Sequence, residues 1–490
     1  MGSGHEHSVE GLGRRLSGLL PCPVRPELLG PAVMLVWTQC ILYARYLWVD
    51  AGVTTVAINY ARCAFILVLA AVALLGRFTS RFQDILGKVS VVLMTMGSLL
   101  FYLMGYFEES SGVMILAAAC AGVGVTWGEG MWIKAYMRLS ARETLFYSLV
   151  SLASFSCVGL FIGFVPEYIT FLIGMLLPMV AYLMYQRSMR LLDEREGVLA
   201  PVVPCSADDA YAREPRGSYW RVLVGIALFS FVMGVSRGFP YGSSIRIGQA
   251  FQMMQHLALI AVACFVAYRT LVKGRRLRFV LLWEVQLAVM AVGVLLLSTY
   301  DEFATAAGAT MMAVANLCQV IFLWLTVLDF ARHRAGSAFH ALAAVWFFHL
   351  FFRETGRLAI IGLTAWEVMD SAVVLAVLIG LLVVCMALML TGPVPRVRPL
   401  FSEFHDGGRD TSAGPLVIAG QTSAERIVER WGLTPREAEV ALLLAEGRTM
   451  SYAANELGLA ENTVRGYTKQ VYEKTGVHSK QELIDLIRGL

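Results

Sequence analysis

The sequence predicts an all-α protein in two parts: a transmembrane bundle of twelve helices in two sets of six, then a small four-helix domain with a helix-turn-helix. Three observations carry this. Apolar residues make up 57% of the 490-residue chain and charged residues only 16%, well below the roughly 25% charge of soluble domains. Between residues 28 and 391 apolar runs recur, most of a length to cross a hydrocarbon core about 30 Å thick. Residues 422–490 break that pattern, being polar, charged and rich in helix-start signals.

The apolar runs lie near 30–49, 53–76, 89–107, 112–133, 145–164, 166–186, 220–239, 249–272, 279–299, 304–328, 338–365 and 371–391. Residues 1–27 form an N-terminal tail. Its "HEH" (His5 to His7) reads as tail and not as a metal site, and no cleavable signal peptide is expected before the first span. Residues 187–219, charged and proline-containing, read as a linker between halves 28–186 and 220–391. Charge alternates along the connections. Arg77, Arg81 and Lys88 follow the second run, Lys134 and Arg138 the fourth, Arg187 and Arg190 the sixth, Lys273 and Arg275 the eighth, and Arg332 and Arg334 the tenth. Asp50, Glu108, Glu167, Asp301 and Glu367 follow odd-numbered runs, and Arg246 after the seventh breaks the alternation. Basic connections stay in the cytoplasm. The expectation is therefore a multi-pass protein of the cell membrane, with the linker, both termini and the C-terminal domain cytoplasmic.

Residues 392–421 are rich in Pro, Gly, Ser and charge without a sustained period, and predict a flexible linker. Beyond it, "LTPREAEVALLLAEG" places Thr434 at an N-cap, Pro435 at the first helical position and Glu437 at the third, which is a capping box. Val440, Leu443 and Leu444 supply the apolar stripe, and Gly447 the stop. Thr449 is placed to cap a second short helix through Leu457, with Ala453 and Ala454 inward. A turn follows at Gly458, then a third helix from Glu461 to about Thr475. Ser479 and Glu482 form a second capping box at the start of a fourth. Two short helices around a glycine turn make a helix-turn-helix, whose second helix can enter the major groove of DNA.

Three segments, "LTPRE", "ENTVR" and "KTGVHSK", sit at spacings that resemble the LuxR-type (GerE or NarL type) DNA-binding domain over about residues 425–490. The residues agree with that chemistry. Val464, Thr468, Val471 and Thr475 fall on one face of the third helix, and Arg465, Gly466 and Lys469 on the other. The resemblance implies that these outward positions reach base edges and that Thr463 holds a phosphate. Arg or Lys can donate to guanine O6 and N7. Asn462, Thr463 and the free N–H groups of the helix start suit a phosphate, and Lys474 and Lys480 suit the flanking backbone. The pattern is also departed from. Gly466 removes a side chain, Ala460 stands where the family has a Ser cap, and Tyr467 replaces a common His. Residues 425–490 hold nine Lys and Arg against ten Asp and Glu, so one unit should bind weakly and a homodimer on DNA is expected.

The six-plus-six arrangement of residues 28–391, with "GRFTSR" (Gly76 to Arg81) and "KGRRLR" (Lys273 to Arg278) at matching places in the halves, resembles the major facilitator superfamily. The usual Asp of that motif is missing here. If the resemblance holds, Arg45, Glu129 and Arg237 lie on cavity-lining spans. Ionisable residues at membrane depth are costly and so are functional candidates. They comprise Arg45, Arg62, Glu129, Arg237, and the "RETGR" residues Arg353, Glu354 and Arg357, with Glu354 placed to reach Arg357 one turn on. The excess of cations suggests an anionic small molecule. The competing reading is that the charges pair between helices and hold the bundle. "GVGVTWGEG" (Gly122 to Gly130) predicts close helix approach, and Trp37, Trp127 and Trp132 read as packing or interface residues. The nine cysteines are scattered without a CxxC pair and read as buried and unpaired. No nucleotide loop, catalytic triad or kinase motif is present, so neither an enzyme nor a cofactor is expected. The functional expectation is a one-component transcription regulator whose membrane domain senses a small molecule. The alternative is an active transporter with a regulatory tail that binds DNA or protein.

Overall fold

The computed structural model describes residues 24–42, 51–103, 111–198, 216–239, 247–275, 277–333, 338–368, 370–391, 399–400, 431–445, 449–457 and 461–488. The chain divides into two compact units, Met1–Gly408 and Arg409–Leu490.

In the first unit the described residues form twelve α-helices: α1 (Gly30–Leu42), α2 (Ala51–Leu74), α3 (Ser80–Leu103), α4 (Ser111–Tyr136), α5 (Ala141–Ile162), α6 (Glu167–Val198), α7 (Arg216–Ser236), α8 (Gln249–Ala267), α9 (Phe279–Leu297), α10 (Glu302–His333), α11 (Ala338–Ala365) and α12 (Ser371–Thr391). Each answers to one predicted apolar run. Eight are long and apolar enough to cross a membrane, and Val222–Ser236 and Leu282–Leu297 are shorter apolar stretches. α11 carries Arg353, Glu354 and Arg357 in its middle. A two-residue antiparallel ladder, Leu277–Arg278 against Pro399–Leu400, accompanies the helices.

Two boundaries differ from expectation. α3 begins at Ser80, nine residues before the apolar run, because Thr79 caps it by accepting from the Phe82 N–H (3.3 Å). Arg81 and Lys88 are therefore helical residues and not loop residues. α6 runs on to Val198, so residues 187–198 of the expected linker are helix. The apolar pattern ends where the surroundings turn polar, but the good helix formers Met189, Arg190, Leu191 and Leu192 carry the backbone further. One cap went unread: Ser140 and Glu143 form a full capping box at the start of α5.

The helix contacts repeat. α1 packs on α5 and α6, α2 on α4, α3 on α4 and α6. Raising each index by six gives α7 on α11 and α12, α8 on α10, α9 on α10 and α12, and all of these contacts occur. The two halves are thus parallel structural repeats. They meet along two seams, α2 with α11 and α5 with α8. Small residues set the closest approaches. A Cβ on Gly122 of α4 would stand 2.5 Å from the Ile58 carbonyl of α2, and one on Gly234 of α7 1.9 Å from the Arg353 carbonyl of α11. The glycine run predicted to permit close approach does so.

The second unit has four described helices: α13 (Pro435–Ala445), α14 (Met450–Leu457), α15 (Glu461–Thr475) and α16 (Lys480–Arg488). Ala438, Val440, Ala441, Leu444, Ala453, Val464, Val471 and Leu483 form its core. Leu443, expected in the stripe, is only partly buried, and Ala441 takes the central place. Gly447, Gly458 and Ala460, like residues 401–430, lie outside the described residues.

Candidate functional site: a nucleic-acid interface and a buried charge cluster

The second unit is assembled so that one helix face stays free. Thr434 and Glu437 make the predicted capping box, Thr434 N–H to the Glu437 carboxylate (2.7 Å) and Glu437 N–H to the Thr434 hydroxyl (3.3 Å). At α16 the Glu482 N–H donates to Ser479 (3.2 Å), while the Glu482 carboxylate reaches back to the His478 N–H (2.9 Å). The carboxylate also accepts from the Ser479 hydroxyl (2.9 Å), and the bonds it receives, from the His478 N–H first and the Ser479 hydroxyl second, hold Glu482 below the ordinary carboxylate range. Helix termini otherwise leave N–H groups without partners, so the caps fix where α13 and α16 start.

α15 lies on α13 and α14 through Val464, Thr468 and Val471, which are buried, and Thr475, which is half-buried. Asn462, Thr463, Arg465, Gly466 and Lys469 are all exposed, on the opposite side. Arg465 is loosely tethered to Glu461 (3.4 Å), with side chains 65% and 46% exposed. Such a pair is worth about 0.3–0.5 kcal/mol, little against a base contact of about 1–3 kcal/mol. Nothing lies within 4 Å of a Cβ built on Gly466. The face is smooth at its centre, with Arg465 and Lys469 rising beside it.

Lys474 is placed differently from its neighbours. Its ammonium donates to the Glu437 carboxylate (2.6 Å) and to the Gly432 carbonyl (3.2 Å). It is engaged inside the unit and ties α15 to the start of α13. Burial pushes the Glu437 carboxyl up, but the bonds from Lys474 and Thr434 outweigh it and hold the group below its ordinary value. Sequence reasoning found Glu437 as a cap and missed this second duty, because Lys474 is 37 residues away. Lys480, at the start of α16, is half-buried.

In the first unit the structure brings most of the predicted charges together. Arg62 of α2 donates to Glu129 of α4 at 2.6 Å. Glu354 of α11 accepts from Arg353 Nε (2.8 Å) and from Asn59 Nδ2 of α2 (2.9 Å), and Arg353 also donates to Asn316 Oδ1 of α10 (3.3 Å). Tyr60 and Thr355 add a hydroxyl contact (3.2 Å) along the same seam. His349, fully buried, bonds Ser230 of α7 (2.9 Å) and lies within electrostatic reach of Arg353, Arg62 and Arg237. Arg353, Glu354 and Arg357 are 8%, 2% and 3% exposed. The cluster thus gathers Arg62, Arg353, Glu129 and Glu354 around a seam between the halves. The reading in which charges pair between helices has its clearest instance in Arg62 of α2 with Glu129 of α4. Arg45 lies outside the described residues. Asn59, Asn316 and His349 were not singled out beforehand, although a lone polar residue in an apolar helix was the available signal. Trp37 and Trp127 are buried and donate to Ser98 Oγ (3.0 Å) and the Gln83 carbonyl (3.1 Å), and Trp132 is packed at 1% exposure.

A transporter fold joined to a helix-turn-helix with an exposed reading face is the class that this geometry defines. Residues 432–487 match the GerE model, described as bacterial regulatory proteins of the luxR family. These residues are a LuxR-type DNA-binding domain, and DNA is accordingly a partner. The membrane unit is similar to the human organic anion transporter MFSD10 (TETRAN), at TM-score 0.51 and 12% identity, covering 75% of this chain and 100% of that one. It also matches a bacterial homologue of the iron transporter ferroportin in an outward-facing state (TM-score 0.46, 12% identity, 74% and 96% covered) and the nucleoside transporter NupG (0.44, 13%, 74% and 98%). The MFSD10 likeness shows that this unit shares that protein's fold, in keeping with the expected six-plus-six bundle. No curated protein matches the chain by sequence. The protein is a multi-pass membrane protein with a LuxR-type domain at its C-terminal end.

Proposed function

We propose that this protein is a membrane-embedded one-component transcription regulator in which the transporter-like unit senses an anionic small molecule and governs DNA binding by the LuxR-type domain. The observation that carries this reading is the coexistence, in one chain, of an exposed helix-turn-helix face and a buried, arginine-rich charge cluster spanning both halves of a transporter fold. A carboxylate or phosphate entering the cluster would compete with Glu354 for Arg353 and with Glu129 for Arg62. Such a ligand acts by its differential affinity for two arrangements of the halves, and the Asn59–Glu354 bond, which crosses between the halves, supplies a contact that differs between them. The domain works in the cytoplasm of a cell membrane, binds as a homodimer because one unit carries no net positive charge, and catalyses no reaction.

The test uses the full chain in nanodiscs. A panel of small carboxylates and phosphates is screened by thermal shift, and hits are carried into DNA-binding assays. Arg353→Ala or Arg357→Ala should abolish the response while leaving DNA binding intact. Variants that insert and respond normally would move the site elsewhere. The repeat of the main helix contacts between the halves favours a second reading, an active transporter with a regulatory tail. Uptake of a hit into proteoliposomes at rates above empty vesicles would support it over sensing alone.

A further inference from the structure

A polar cleft lies away from the charge cluster, at the end of the first half that carries its basic connections. It has a volume of about 350 Å³ and is formed by the first turns of α3, the last turns of α4 and the end of the apolar part of α6. Lys88, Lys134 and Arg190 reach it against a single carboxylate, Asp84. Three cations and one anion leave two positive charges in excess. Among the described residues none of the three cations forms an ion pair. The walls are Trp127, Met131, Tyr182 and Tyr185, and the Trp127 indole is fixed by its bond to the Gln83 carbonyl.

The surroundings narrow the ligand. Deeper along α3 and α6 the residues Ile85, Val89, Val92, Leu176, Met179 and Leu183 are exposed. Exposed aliphatic surface on a spanning helix faces acyl chains. The cleft thus stands where a lipid headgroup would sit while its chains run along α3 and α6. Its volume is at the small end of ligand pockets, roughly 300–1,000 Å³, enough for a headgroup and too small for the chains. Basic pockets between spanning helices hold anionic headgroups, Lys and Arg reach them with their stems along apolar surface, and Trp and Tyr favour the same depth.

We infer that this cleft binds the phosphate headgroup of an anionic phospholipid. The three cations contact the phosphate, Trp127, Tyr182 and Tyr185 line the glycerol level, and Asp84 holds the affinity down.

Native mass spectrometry of the full chain, released from nanodiscs of phosphatidylglycerol mixed with phosphatidylcholine, tests this. One phosphatidylglycerol should be retained in preference to phosphatidylcholine. Lys134→Gln and Arg190→Gln should each weaken its retention about fivefold, the equivalent of about 1 kcal/mol per basic residue. Arg77→Gln, an exposed cation outside the cleft, should leave it unchanged. Asp84→Asn should strengthen retention, a gain that misfolding cannot produce. Equal losses for Arg77→Gln and Lys134→Gln, or no preference over phosphatidylcholine, would overturn the site. Binding of glycerol phosphate to delipidated protein as tight as that of the lipid would overturn the lipid as occupant.

Discussion

Arg353 and Arg465 are the same residue under opposite physics. Arg353 is 8% exposed and is held by Glu354 and Asn316, whereas the Arg465 side chain is 65% exposed and its one ion pair, to Glu461, is long. In the membrane unit a charge persists because partners replace water, so removing a partner is costly. On the recognition helix a charge is kept by water until DNA replaces it, so its removal costs the free protein almost nothing. A partner can reach the Arg465 charge as it stands, whereas a ligand of Arg353 must first displace Glu354 or Asn316. Lys474 sits on the boundary, being part of a recognition helix yet claimed by Glu437.

The contrast breaks most readily at Glu354. Glu354→Ala leaves Asn59 without its acceptor and Arg353 without its counter-charge, with only Asn316 left to it, and should destabilise the full chain by about 3–5 kcal/mol, read as a loss of thermal stability in detergent. A loss under about 1 kcal/mol is the range of hydrated ion pairs; it would mean that water reaches the cluster and that the two regions do not differ in kind. Arg465→Ala should leave the melting temperature of the isolated tail unchanged and cost about 1–3 kcal/mol in binding, relaxing preference at one base position. Lys480→Ala should weaken all sequences alike and flatten the salt dependence. Equal losses for Arg465→Ala on selected and scrambled DNA would make it a positioning residue.

Glu437 gives an intermediate effect. Glu437→Ala removes a capping partner and the tie to Lys474, and should cost the tail about 1–2 kcal/mol. Because the folded carboxyl is held below its ordinary value, its contribution is complete above the unfolded value of about 4.3. It is lost as pH falls through the lower folded value. The wild-type tail should therefore lose stability in that acid range, and Glu437→Gln should remove this part of the slope. The smallest effect is expected at Gly466. Its Cβ position is open, so Gly466→Ala should stabilise α15 by about 0.5–1 kcal/mol. Should DNA affinity fall at the same time, the bare backbone there is in contact with DNA.

Local features were legible in the sequence and distant ones were not. The apolar runs marked every helix of the membrane unit because lipid demands the same apolar surface whatever the partner. The Thr434–Glu437 cap and the inward face of α15 were legible because each is set within a few residues. The pairing of Asn59 with Glu354 was not, since 295 residues separate them and nothing local distinguishes Asn59 from any other polar residue in a span. The starts of α3 and the end of α6 were missed for a related reason: hydropathy reports where the surroundings turn polar, while the backbone continues until a cap stops it.

The sixfold shift of helix contacts exchanges the two seams, since adding six to α2 gives α8 and taking six from α11 gives α5. The seams are equivalent in architecture and unlike in composition. One is fastened by Asn59 to Glu354 and Tyr60 to Thr355. In the other the ring of His256 occupies the notch left by Gly159, where a Cβ would stand 2.2 Å from it. A two-fold frame fitted in this way is a door with a latch on one jamb and a pivot on the other. Opening the latch breaks the Asn59–Glu354 and Tyr60–Thr355 bonds at once, while at the pivot the His256 ring sits in its socket with a longer bond to Gln39 of α1 (3.4 Å). Parting the halves along α2 and α11 thus means exchanging short polar contacts for new ones, and parting them along α5 and α8 means lifting a ring out of a glycine notch.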